Sequence, residues 1–71
     1  MNDEFVLSLL RANGPMTVRQ IVMAYGLVTT NSNLGKVRRQ MKSMSRYGLV
    51  KVVGEIRDGT YHPSHLWEVV E

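Results

Sequence analysis

The 71-residue chain has no cysteine. That removes disulfides, thiolate metal sites and cysteine nucleophiles together, and it is compatible with a reducing compartment. Aromatic residues are sparse, one Trp, one Phe and three Tyr, too few to suggest a base-stacking platform of the kind single-stranded RNA binders use. The longest apolar run, Ile21 to Tyr25, is five residues, far short of the roughly 20 that cross a bilayer, and the first turn is acidic, so the sequence predicts neither a membrane span nor a secretory signal. A soluble cytoplasmic protein is expected on this basis, nucleoid-associated if its partner is DNA. The sharpest absence is of one sign of charge. From Phe5 to Gly54 there are eight Lys or Arg and not one Asp or Glu, so the formal net charge of +3 hides a cationic centre between neutralising ends. Such asymmetry points to a polyanion, of which phosphate is the commonest.

What the chain does contain is one compact unit. Seventy-one residues support a single domain with a marginal core, which leaves little room for a multi-part active site. Repeats, low-complexity stretches and linkers are lacking, and the domain is read from residue 1 to 71. Asn2 reads as an N-cap with Asp3 and Glu4 in the first turn, followed by Val6, Leu9 and Leu10 at helical spacing. A first helix is expected over about 3–12, stopped by Asn13-Gly14-Pro15. Thr17-Val-Arg-Gln20 matches a capping box and opens a second helix over about 18–25, with Val18, Ile21, Val22 and Tyr25 on one stripe. After the polar stretch Thr29 to Asn33, the spacing of Leu34, Val37, Met41 and Met44 predicts a third helix over 33–47.

Beyond Gly48 the period changes to two. Val50 and Val52 alternate with Lys51 and Val53, Trp67 and Val69 repeat the alternation, and Arg57-Asp58-Gly59 lies between as a turn signal. Strands are expected over about 49–55 and 65–70 as a two-stranded β-hairpin, with a short third strand near Met16. The fold class is therefore α+β.

Three helices followed by a hairpin is the order of the winged helix-turn-helix family, and particular residues carry the likeness. Thr17-Val-Arg-Gln-Ile-Val22 resembles the start of that family's second helix. Val37 to Val50, ending Arg-Tyr-Gly-Leu-Val, resembles the end of its recognition helix and the entry to its wing, and Trp67-Glu-Val69 is similar to the strand returning from the wing. The resemblance implies a small DNA-binding domain of the bacterial, archaeal or phage regulator type, with helix three in the major groove and the hairpin tip on backbone or minor groove. Two features depart from the pattern. The connection Gly26 to Asn33 reads as longer than the usual tight turn. Arg38 and Lys42 stand where the Z-DNA-binding branch of the family has an Asn and a Tyr.

Helix three segregates its side chains. At about 100° per residue, Leu34, Val37, Met41 and Met44 fall within an arc of roughly 80°, with Arg39 and Arg46 opposite and Gly35, Lys42 and Ser43 beside them. Lys36 and Arg38 take the flanks. A glycine costs a helix interior about 1 kcal/mol relative to alanine, so Gly35 on the cationic face suggests close backbone approach to a partner. Met16, Met41 and Met44 read as core filler, and Met23, off the stripe of helix two, as an exposed dimer contact.

Chemistry finds no foothold. Ser43 and Ser45 lack an activating base, the carboxylates lie near the ends, and His62 and His65 have no further ligand to complete a metal site. No enzyme, metal or cofactor is expected. The expected function is sequence-specific binding of duplex DNA by a transcriptional regulator. In that reading Arg39 reads a guanine edge, with Ser32, Asn33 and Lys36 also near bases. Lys42, Arg46, Arg38 and Arg19 hold phosphates, and Arg57, Tyr61 and His62 carry the wing contact. A single module binds too weakly to select one genomic site, which calls for a homodimer or a second regulatory protein. The alternative is a winged-helix adaptor that binds protein and not DNA, marked by an exposed apolar patch to which Met23, Leu27 and Val28 are the main contributors.

Overall fold

The computed structural model describes residues 2–57 and 63–71. Three helices, α1 (Asp3–Asn13), α2 (Val18–Ala24) and α3 (Asn31–Arg46), precede two antiparallel strands, β1 (Val50–Ile56) and β2 (Ser64–Val69), in a small α+β domain. Among the described residues no helix is long and apolar enough to cross a membrane.

Each helix begins on a side chain that satisfies its orphan amides. Asn2 Oδ1 accepts from Glu4 N at 2.9 Å. At α2 the capping box is closed both ways: Gln20 N donates to Thr17 Oγ1 at 3.2 Å, and Thr17 N donates to Gln20 Oε1 at 2.9 Å. A third cap was not expected. Thr30 Oγ1 accepts from Asn33 N at 3.2 Å, so α3 starts at Asn31, and Asn31 and Ser32 belong to the helix and not to the linker. The connection between α2 and α3 runs only from Tyr25 to Thr30, shorter than the stretch Gly26 to Asn33 read from composition. The reason is that Thr and Asn are turn formers and helix N-caps alike, and composition alone cannot separate the two uses.

The four buried faces meet in one core. Val6, Leu7 and Leu10 from α1, Ile21 and Val22 from α2, and Val37, Met41 and Met44 from α3 close on Val50, Trp67 and Val69 of the sheet. Met16 packs at its margin and forms the short third strand as a single bridge: Met16 N donates to Trp67 O at 3.0 Å and Trp67 N to Met16 O at 2.9 Å. β2 is thereby flanked on both sides, with Trp67 paired to Val52 of β1 on one and to Met16 on the other.

The strand alternation holds less well on β1. A bulge shifts the register between Val52, opposite Trp67, and Gly54, opposite Leu66, so Val53 has no partner. Only Val50 of β1 is buried; Val52 and Val53 are 45 and 44 % exposed. The pattern of alternate valines would suit a half-buried strand, but β1 past its first residue stays largely exposed to solvent.

Candidate nucleic-acid interface

The side of α3 away from the core is built by the same periodicity that buries Val37, Met41 and Met44. Lys36, Arg38, Arg39, Lys42 and Arg46 are all exposed, as is Ser32 in the first turn. Among the described residues the ion pairs are Arg11 with Glu71 at 3.2 Å and Glu55 with Arg57 at 3.8 Å, and the His65 imidazole lies 3.7 Å from Glu55. None of these involves a cation of α3, nor Arg19 on α2. Five like charges on one helix repel one another, an arrangement that a solvated face normally relieves with interleaved acids.

One flank of α3 opens into a groove of about 750 Å³ walled by the first turn of α2 and by the hairpin. Arg38 and Lys42 line it from α3, Arg19 and Gln20 from α2, and His65 and Trp67 from β2. Arg19 and the two α3 cations therefore share a single concavity, a grouping that sequence distance conceals. Arg39 and Arg46 point away from the core on the outward side, and Lys36 lies beyond them toward the other flank.

That other flank is held by a polar network absent from the sequence reading. Gln40 Nε2 donates to Asp3 Oδ1 at 2.9 Å, and the Tyr25 hydroxyl lies 3.3 Å from Gln40 Oε1 and 3.2 Å from the Asn2 carbonyl, sharing its one proton between them. The Phe5 ring packs on Tyr25 in a tilted pair with centroids 4.7 Å apart. These bonds link α1, α2 and α3 over long sequence separations, for which no local pattern exists. They also bring the carboxylate of Asp3 to the edge of the cationic helix.

The remaining expected contacts divide. Asn33 is only partly exposed and its Nδ2 donates to Val28 O at 2.8 Å, so this side chain secures the α2–α3 connection. Arg57 is exposed at the end of β1 and pairs with Glu55. Tyr61 and His62 lie outside the described residues. Gly35 has ordinary helical backbone, and a Cβ built on it meets nothing within 4 Å, so the fold itself does not demand glycine there.

Apolar exposure is wider than the sequence suggested. Met23 and Val28 are 62 and 73 % exposed as expected, but Tyr47, Leu49 and Val70 add to them at the end of the domain where α3 enters the sheet. No family model, curated protein or solved structure matches the chain.

Proposed function

We propose that this chain is a winged helix-turn-helix protein that binds duplex DNA sequence-specifically, as a small transcriptional regulator, with α3 as the element entering the major groove. The observation that carries the reading is the face of α3, five exposed cations without a carboxylate partner among the described residues, opposite a fully apolar buried side. A major groove about 12 Å wide admits an α-helix, and a 16-residue helix is roughly 24 Å long, enough to meet base edges along one part and both phosphate walls along the rest.

The roles follow from position. Arg39, outermost on the helix, reads a base edge, with Ser32 and Lys36 beside it nearer the helix start. Arg38, Lys42 and Arg19 bind phosphates of the strand that passes the groove, and Arg46 binds one farther along. Asn33 contributes by holding the approach of α3. The wing contributes less than α3, because Glu55 faces both Arg57 and His65 and the local charge is nearly balanced.

A duplex-DNA titration followed by backbone amide shifts tests the proposal. Shifts concentrated at Ser32 to Arg46 and at Arg19 are expected at low salt. Failure of any shift to appear on adding duplex, or shifts confined to residues around Met23 and Val28, would replace this reading with the protein-binding adaptor.

A further inference from the structure

The surface around the hairpin's outer face differs from α3 in being charge-balanced. Lys51 sits opposite Glu68 across the two strands, and Arg11 pairs with Glu71 at 3.2 Å. These four residues, with Gly14 and Pro15, line a shallow depression of about 600 Å³. Beside it the sheet is prolonged by a bond from Val70 N to Leu49 O at 2.9 Å, and that step carries Leu49 and Val70, 38 and 42 % exposed, as an apolar ridge.

We infer that this face docks a second copy of the chain. A two-fold dimer needs a patch complementary to itself. Here a ridge and a hollow lie side by side, so the Leu49–Val70 ridge of each copy enters the hollow of the other. The charges alternate in sign, so Lys51 of one copy meets Glu68 of its partner and the reverse. Contact through α3 would set like charges against each other and is excluded by the same reasoning. Edge-to-edge pairing of β1 is discouraged by its bulge at Val53 and by Lys51, devices that blunt free strand edges. Because α3 and the hairpin bury their inner sides in one core, their solvent sides point apart, and the dimer leaves both copies of α3 uncovered.

The patch is small, so self-association is weak, and it is read by sedimentation velocity of the full chain between about 10 μM and about 1 mM. Concentration-dependent dimerisation is expected. Lys51→Glu or Glu68→Lys alone should weaken it about tenfold or more, because each makes the patch repel itself, while an equimolar mixture of the two variants should dimerise again as a heterodimer. Circular dichroism checks that each variant is folded, and Leu49→Ser, which leaves the charges unchanged, should also weaken the dimer. A chain that stays monomeric throughout, a mixture that fails to associate, or loss of the dimer on Val28→Asp but not on Lys51→Glu overturns the inference. None of these outcomes depends on DNA binding.

Discussion

Asp3 and Gln40 lie 37 positions apart in sequence and are joined by a 2.9 Å hydrogen bond in which the Gln40 amide donates to the carboxylate. The bond locks the N-terminus of α1 against the flank of α3, and it leaves one negative charge at the border of a surface otherwise cationic. An acid about 10 Å from a bound phosphate costs roughly 0.4 kcal/mol in water, which is about twofold in affinity. Asp3→Asn keeps an acceptor oxygen for Gln40 and removes the charge. Affinity for duplex DNA should therefore rise about twofold at low salt, with the gain fading as ionic strength approaches 0.5 M or so. A loss of affinity with unchanged fold would show that Asp3 orients α3 through its charge.

Lys42 tests the phosphate side of the groove. Each phosphate contact releases about 0.9 of a counterion, so Lys42→Ala should reduce the slope of log K against log salt by roughly that amount and weaken binding on all duplexes alike. The measurement is a salt titration by fluorescence anisotropy on specific and random duplexes. An unchanged slope and affinity would remove Lys42 from the contact set.

Arg39 should behave differently from Lys42 because it stands outermost, clear of the groove. Arg39→Ala is expected to cost about 1 to 3 kcal/mol on the preferred site and much less on random DNA, as for a bidentate contact to a guanine edge. Equal losses on both would make it a phosphate contact.

The helices were legible in the sequence because their signals are local. The Thr17–Gln20 box, the Asn13-Gly14-Pro15 stop and the spacing of Val37, Met41 and Met44 each lie within a few residues. The cationic face of α3 was legible for the same reason. What escaped was tertiary: the Gln40 network, the convergence of Arg19 with Arg38 and Lys42, and the approach of Glu55 to His65 across the hairpin all depend on elements distant in the chain. The Asn33 bond to Val28 was hidden by a subtler ambiguity. An asparagine near a helix start serves equally as a cap, a turn bond or a base reader, and the Val28 carbonyl that accepts from its Nδ2 is set by the tertiary path of the connection. The exposure of Val52 was hidden too, since alternation reports which face a residue takes and not whether anything covers that face.

Gly35 separates the demands of folding from those of binding. Its backbone is unstrained and a methyl group there meets nothing within 4 Å, so Gly35→Ala removes a helix-weakening residue without a clash. The exchange should stabilise the fold by about 1 kcal/mol and raise the melting temperature by roughly 4 to 8 °C for a domain of this size. On α3 the same position lies beside Arg39, Lys42 and Arg46, on the side proposed to meet DNA. If the helix backbone approaches a groove wall there, the added methyl lifts it and weakens specific binding several-fold while the protein becomes more stable. Thermal melts and anisotropy titrations on one preparation read both effects. Higher stability with undiminished affinity would show that Gly35 has no part in the contact and that α3 meets DNA through its side chains alone.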